Sequence, residues 1–127
     1  MLSLVFEELA EVPSEVAEAY RASAAVTECG RVVTWGIAEE GGYSSMVEKE
    51  LKSGVVHVAA TSSAFAAITD RGRVVTWGDM IGGGNSSEMA GELASGVVKV
   101  VASKYAFAAL KDNGRVVTWG NGGLRRG

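Results

Sequence analysis

The sequence Arg-Val-Val-Thr-Trp-Gly stands at 31–36 and returns unchanged at 73–78 and at 115–120. Each copy starts 42 residues after the start of the previous copy. A match of this length that returns twice at one constant period predicts an array of one structural unit. The role of any other residue is therefore best judged from its position within this unit.

The rest of the chain follows the same period without gaps. Ser-Gly-Val-Val occurs at 53–56 and at 95–98, and Ala-Phe-Ala-Ala occurs at 64–67 and at 106–109. The first copy has diverged, since Glu-Val-Pro-Ser stands at 11–14 where the later copies have Ser-Gly-Val-Val. The repeat therefore extends well beyond the stretch that contains tryptophan.

The chain has 127 residues, which is the length of one ordinary domain. Hydrophobic residues make up 47% of it, which is enough for a packed core, and 17 glycines against one proline are typical of many tight turns. We predict a single repeat domain over 1–127. Its three units of equal length are 2–43, 44–85 and 86–127.

Each unit is predicted to begin with a short helix that three strands follow. In the middle unit the helix covers 44–51, where a serine can cap the first turn and Val47 and Leu51 lie on one face. Apolar runs with turn residues between them predict the strands. In the middle and third units these strands are 55–60, 63–69, 73–77, 97–102, 105–111 and 115–119.

The connections between the second and third strands are predicted to be hairpin turns. Asp-Arg-Gly at 70–72 and Asp-Asn-Gly at 112–114 each separate two apolar runs, and the glycine can supply a positive φ. In the first unit, Pro13 and Glu18 fall within the first strand. We expect that strand to be short or frayed.

The third strand of each unit is apolar, or nearly so, on both faces. Val33 and Trp35 point to one face, and Val32 and Thr34 point to the other. This pattern fits a sheet that neighbouring sheets cover on both sides, with one tryptophan per unit filling the gap. We assign structural roles in the repeat to Trp35, Trp77, Trp119, Gly30, Gly72, Gly114, Gly36, Gly78 and Gly120.

The predicted fold class is therefore mostly β. It consists of three tandem blade-like units, each an antiparallel sheet with a short helix, arranged as a partial β-propeller or an open repeat array.

The hairpin and the stretch after it resemble a known repeat. They read Ala-Leu-Lys-Asp-Asn-Gly-Arg-Val-Val-Thr-Trp-Gly at 109–120, with a related copy at 67–78. The repeat of the regulator of chromosome condensation family similarly ends in Gly-x-Val-x-x-Trp-Gly after an Ala-Leu-x-x-Asp-Gly hairpin. The resemblance implies propeller blades. It also implies a role as a nucleotide-exchange factor, a ubiquitin-ligase-associated module or a protein-binding platform.

The chain also departs from that family. The family's usual Asn-x-x-Gly-Gln-Leu-Gly after Trp-Gly is missing, the unit is shorter, and a full propeller has about twice as many blades. The residues by which the founding member acts on its small GTPase have no identifiable counterpart, so the exchange activity is not carried over. WD40 repeats have a similar period, but they need Trp-Asp, whereas this chain has Trp-Gly.

Candidate chemistry is sparse, and we assign no catalytic, cofactor-binding or metal-binding residue. Cys29 is predicted to be a turn residue and His57 a solvated strand residue. The segment Gly-Gly-Gly-Asn-Ser-Ser at 82–87 could bind an anion where it enters a helix, but it lacks the lysine of a phosphate loop. We interpret it as a flexible turn between blades.

Charge is distributed unevenly over the three units. They carry net charges of −6, 0 and +3, which together give the net charge of −3. The opposite ends predict a head-to-tail homo-oligomer whose association weakens with salt. The net negative charge argues against binding of nucleic acid.

The sequence predicts an intracellular location, cytoplasmic or nuclear, with no membrane association. The apolar region at 97–110 is too short to span a bilayer and contains two lysines. The first residues lack the basic region of a signal peptide, and the single cysteine is compatible with a reducing compartment.

The predicted function is a non-catalytic scaffold for protein–protein interaction that presents its inter-strand loops to another protein. The alternative is a regulatory propeller segment of a ubiquitin-ligase or guanine-nucleotide-exchange assembly. In either case the chain could be part of a longer propeller, one half of a ring of two copies, or an open wedge that binds a partner.

Overall fold

The computed structural model describes residues 13–38 and 45–120 and contains three antiparallel sheets of three strands each. In every sheet the strands lie in chain order, so each sheet is a simple meander. The strands are β1 (Pro13–Glu18), β2 (Ala22–Thr27), β3 (Val32–Gly36), β4 (Val55–Ala60), β5 (Ala64–Thr69), β6 (Val74–Gly78), β7 (Val97–Ala102), β8 (Ala106–Lys111) and β9 (Val116–Gly120). We call β1–β3 the first sheet, β4–β6 the second sheet and β7–β9 the third sheet.

The fold class predicted from the sequence is confirmed, with helices that are few and short. The second unit begins with 3₁₀ turns over Ser45–Leu51, which Val47 interrupts because its backbone is not helical. The third unit has one 3₁₀ turn at Ser87–Met89, and a π-helical turn, Met80–Gly84, precedes it. Turns this short gain little from helical hydrogen bonds, so packing must hold them. The helix predicted at the start of the first unit lies outside the described residues.

The first strand of the first sheet corrects one prediction. We expected a short or frayed strand, but β1 has six residues, the same length as β4 and β7. Pro13 is tolerated because it is the first residue of a strand at the edge of its sheet, where a missing amide breaks little of the ladder. All three of these strands carry an irregularity at the same place, between residues 13 and 15, 55 and 57, and 97 and 99.

The second sheet is covered on both faces, as its apolar pattern predicted. Along β5, Phe65 and Ala67 pack in a core shared with the first sheet, whereas Ala66 and Ile68 pack in a core shared with the third sheet. This alternation follows from the two-residue period of a strand. Small alanines on β5 allow the neighbouring sheets to approach closely. The described part of the chain therefore has two cores, each lying between two adjacent sheets.

Candidate interaction surface

Two of the three repeated tryptophans lie between adjacent sheets. Trp77 belongs to the core between the first and second sheets, and Trp119 belongs to the core between the second and third sheets. Their exposed fractions are 5% and 8%. Each ring stacks on the phenylalanine directly opposite it on the next strand, Phe65 at 5.4 Å and Phe107 at 5.3 Å between ring centroids. The third tryptophan, Trp35, is half-buried.

Trp119 is also tied to the glycine-rich turn of the preceding unit. Its indole Nε1 donates a hydrogen bond of 3.1 Å to the carbonyl of Gly83. Gly83 has φ of +114°, and a Cβ atom built on it would lie 2.6 Å from the ring of Phe107. Only glycine fits this close approach. The sequence predicted a flexible turn here, but the structure places a buried turn between the second and third sheets.

The polar groups of this turn are already bonded to the protein. The carbonyl of Gly82 accepts a hydrogen bond from Thr61, and its amide donates to the carboxylate of Asp79. The carbonyl of Gly84 accepts from the hydroxyl of Thr76. The amide of Gly84 donates to the carbonyl of Asp79 as well, so the amides of Gly82 and Gly84 are both engaged within the turn and not open to an anion.

The repeated glycines occupy two places in each sheet. Gly30, Gly72 and Gly114 end the hairpin turns with φ of +81°, +78° and +91°. Gly36, Gly78 and Gly120 close the third strands with φ of +116°, +111° and +111°. The turns after β2, β5 and β8 thus have the geometry that the acidic-x-Gly pattern predicted.

Two backbone hydrogen bonds, which we call a junction, connect the first and second sheets. The amide of Val55 donates to the carbonyl of Gly30 at 3.0 Å, and the amide of Tyr20 donates to the carbonyl of Ser62 at 2.8 Å. A Cβ atom on Gly30 would lie 2.7 Å from the amide nitrogen of Gly54. The two chain segments therefore touch at backbone distance.

The junction between the second and third sheets has the same form, shifted by one repeat. The amide of Val97 donates to the carbonyl of Gly72 at 3.0 Å, and the amide of Ser62 donates to the carbonyl of Lys104 at 2.9 Å. Each junction therefore uses one acceptor and one donor of the earlier sheet.

The third sheet exposes three apolar side chains on the side that faces away from the second sheet. We call Val101, Leu110 and Val116 the outer face, and their exposed fractions are 51%, 40% and 61%. Ile68 and Val74 occupy the places of Leu110 and Val116 one repeat earlier, and they are only 3% and 6% exposed. The difference arises because the third sheet covers Ile68 and Val74.

The tips of the three hairpin turns form a second candidate surface. Residues 28–29, 70–71 and 112–113 are all exposed, and we call them the tip row. Gly54 connects the first two tips, because its segment contacts Gly30 and its carbonyl accepts a hydrogen bond from the amide of Asp70. Side chains of different charge are thus presented on three turns of the same geometry.

A third feature is an open groove of about 620 Å³ between β6 and the connection at 84–94. Thr76 bonds to Ser86 across it, with 2.9 Å between the hydroxyl oxygens, and Arg73 lies 3.6 Å from the carboxylate of Glu50. The polar side chains of the groove therefore already bond to each other.

Among the described residues, the two candidates for chemistry, Cys29 and His57, lie on different elements of the fold. Cys29 is exposed in its turn, and His57 is exposed on its strand, as predicted. The Nδ1 atom of His57 lies 3.5 Å from the carboxylate of Glu15, which also accepts a hydrogen bond from the amide of Val58. Within 13–38 and 45–120, no group of three or more His, Cys, Asp or Glu side chains is arranged to hold a metal ion.

The repeats match a known family. Residues 97–124 match the family model described as the regulator of chromosome condensation (RCC1) repeat. This confirms, for the third unit, the resemblance seen in the sequence. A search of curated proteins gave no match.

Solved structures share the fold. Human WBSCR16 aligns with a TM-score of 0.62 at 21% identity, over 89% of this chain and 35% of that chain. Prp20p from Saccharomyces cerevisiae aligns with a TM-score of 0.62 at 18% identity, over 94% of this chain and 32% of that chain. The CRINKLY WD40 ectodomain of the Arabidopsis thaliana receptor kinase ACR4 aligns with a TM-score of 0.65 at 20% identity, over 88% of this chain and 39% of that chain.

These similarities define the architecture as that of propeller blades. The chain spans about a third of the length of the structures that it matches. In the described ranges, no helix has the length and apolar character that a membrane crossing requires.

Proposed function

We propose that this chain is a non-catalytic scaffold for protein–protein interaction, made of the units 2–43, 44–85 and 86–127, with the tip row as its contact surface. The observation that carries the proposal is the contrast between constant and variable positions of the repeat. The glycines and tryptophans that shape each unit are the same in all three, whereas the exposed tips read Glu-Cys, Asp-Arg and Asp-Asn. A rigid framework with variable loops is the usual design of a binding surface.

The structural relatives support a role in binding. The structure of Prp20p was described together with its binding properties to Gsp1p and histones, and a second yeast structure shows RCC1 (Prp20) bound to Kap60. These partners belong to the yeast protein. For this chain they support only the inference that such repeats can present surfaces to other proteins.

The tip row can be tested by reversing its charges. The triple variant Glu28→Lys, Arg71→Glu and Asp112→Lys should lose the proteins that the unmodified chain retains from a cell extract, measured by affinity capture and mass spectrometry. Glu48→Lys is the matched control, because it makes the same change in net charge at an exposed site away from the tips. Equal retention by all three proteins would contradict a binding role for the tips.

A second candidate function is a regulatory segment of a ubiquitin-ligase or guanine-nucleotide-exchange assembly. The match to the RCC1 repeat and the similarity to Prp20p favour it. Exchange activity is tested by the release of labelled nucleotide from Gsp1p in the presence of this chain. Acceleration would support this candidate, whereas unchanged release with retained binding partners would support the scaffold.

We also propose weak head-to-tail self-association, supported by the net charges of −6 and +3 on the first and third units.

An intracellular location, cytoplasmic or nuclear, is proposed because the chain has a single cysteine and therefore no internal disulfide. Microscopy of a fluorescent fusion tests the location, and a secreted product would contradict it.

A further inference from the structure

The outer face of the third sheet repeats the surface by which the second sheet holds the third. On the second sheet, Ile68 and Val74 pack against Phe107, Val117 and Trp119 of the third. Leucine and valine stand at the matching positions of the outer face, so the apolar character of these two positions is kept. An exposed apolar patch of this kind marks an interaction surface.

The backbone beside the outer face is also arranged as half of a junction. Gly114 corresponds to Gly30 and Gly72, whose carbonyls each accept an amide of the following sheet. Lys104 corresponds to Tyr20 and Ser62, whose amides each donate to the following sheet. Within the described part of the chain, no backbone hydrogen bond to the Gly114 carbonyl or from the Lys104 amide is found.

Space is available at this half-junction. A Cβ atom built on Gly72 would lie 2.7 Å from the backbone nitrogen of Gly96, whereas one built on Gly114 would have no neighbour within 4 Å among the described residues. The apolar face, the acceptor, the donor and the open space therefore coincide at one end of the array.

We infer that the outer face docks one further blade of the same repeat type, whose first strand opens with Gly-Val. The glycine is needed because Gly54 and Gly96, at this position of the two existing junctions, both have φ of +80°. The next residue must bring an amide, since Val55 and Val97 donate at this point. The occupant is thus recognised by one backbone N–H group as well as by apolar area.

This requirement makes the first unit of a second copy a poor occupant. Val12 and Pro13 stand where the later units have Gly-Val, and proline has no amide hydrogen. The Gly114 carbonyl would be covered without a partner, which is costly for a buried acceptor. The opposite charges therefore attract a second copy, but the divergent first unit of that copy binds the outer face only weakly.

Restoring the missing pattern should strengthen the self-association. The double variant Val12→Gly, Pro13→Val supplies both the glycine and the amide. By sedimentation velocity we expect its dissociation constant to fall by about tenfold relative to the unmodified chain. The single variant Val12→Gly is the matched control, since it still lacks the amide, and its dissociation constant should stay close to that of the unmodified chain.

A substitution on the outer face shows whether the gain arises there. Adding Val116→Glu to the double variant should abolish the gain, because a charge would then be buried against the docked blade. Val116 is exposed, so this change leaves the fold of the monomer intact. The inference is overturned if the double variant associates no more tightly than Val12→Gly, or if Val116→Glu does not reverse the gain.

A tandem extension tests the same inference without altering the first unit. A second copy of 44–85 is joined after Gly127, and a thiol is placed on the outer face by Val116→Cys with Cys29→Ser. The added blade should slow labelling of this thiol at least tenfold relative to the unextended chain. The same extension with Val55→Pro in the added copy should label faster than the extension with valine. Equal labelling of all three proteins would overturn the inference.

The inference goes beyond the proposed scaffold role, because it concerns the outer face and not the tip row. Its failure would leave binding at the tips untouched. Loss of partners in the tip variant, in turn, would not change the sedimentation of the Val12→Gly, Pro13→Val variant.

Discussion

Replacing Trp119 by alanine should remove a buried aromatic contact from the core between the second and third sheets. The indole is 8% exposed, stacks on Phe107, and bonds through Nε1 to the carbonyl of Gly83. The substitution leaves a cavity between two sheets that are fixed by their junction, so the site can collapse only in part. Loss of a buried tryptophan under such conditions costs about 3–5 kcal/mol. This is a large share of the roughly 5–15 kcal/mol by which a domain is stable.

Two further variants separate the contribution of the indole ring to the free energy of unfolding from that of its hydrogen bond, and from the effect of removing a tryptophan elsewhere. Trp119→Phe keeps an aromatic ring opposite Phe107 but leaves the Gly83 carbonyl without its donor, which costs about 1–3 kcal/mol. Trp35→Ala is the positional control, because Trp35 is half-buried and has Ser23 opposite it where Trp119 has Phe107. With less apolar area to expose, this change should cost about 1–2 kcal/mol.

Urea unfolding followed by far-ultraviolet circular dichroism is the appropriate assay, because the signal does not depend on the number of indoles. Hydrogen exchange of the β8 amides then shows whether the third sheet is the part that loosens. The expected order of the loss in the free energy of unfolding is Trp119→Ala, then Trp119→Phe, then Trp35→Ala. If Trp119→Ala lowers the free energy of unfolding no more than Trp35→Ala does, the Trp119 indole does not stabilise the packing of the second sheet against the third.

Three further predictions concern the turn, the ion pairs and the charged ends. Gly83→Ala should lower the free energy of unfolding by about 1–3 kcal/mol, because its φ is positive and the Phe107 ring blocks a Cβ atom, whereas Gly91→Ala, with no described atom within 4 Å, should not lower it. Glu92→Gln should cost less than about 1 kcal/mol, and less at high salt, because the pairs of Glu92 with Lys111 and Arg115 are partly exposed; a salt-independent loss would contradict this. Light scattering should show a mass that rises with protein concentration and falls as salt is added, and a strict monomer under all conditions would exclude self-association.

The strands could be predicted closely because they depend on local pattern. β4 and β7 have the predicted bounds, since a β-branched run begins directly after a glycine in each. The third strands, β6 and β9, each begin and end one residue later than predicted. The period of 42 residues alone predicts which positions of the three units are equivalent. The length of β1 differs from the prediction because a proline interrupts a ladder only where its amide would bond, and Pro13 begins an edge strand.

The contacts between units could not be predicted, because they depend on how one sheet sits against the next. The hydrogen bond from Trp119 to Gly83 requires the backbone conformation of a turn that has no regular pattern. One contact did leave a signal in the sequence. Phe65 and Trp77 stand at equal distances on either side of Arg71, the centre of the hairpin, so they had to face each other.

The two hydrogen bonds of Ser62 bear on the order in which the three sheets separate. Its carbonyl accepts from Tyr20 of the first sheet, and its amide donates to Lys104 of the third, so one peptide segment serves both junctions. Either outer sheet can separate by breaking a single junction, whereas release of the second sheet breaks two. Transient opening should therefore begin at the outer sheets and reach β5 last.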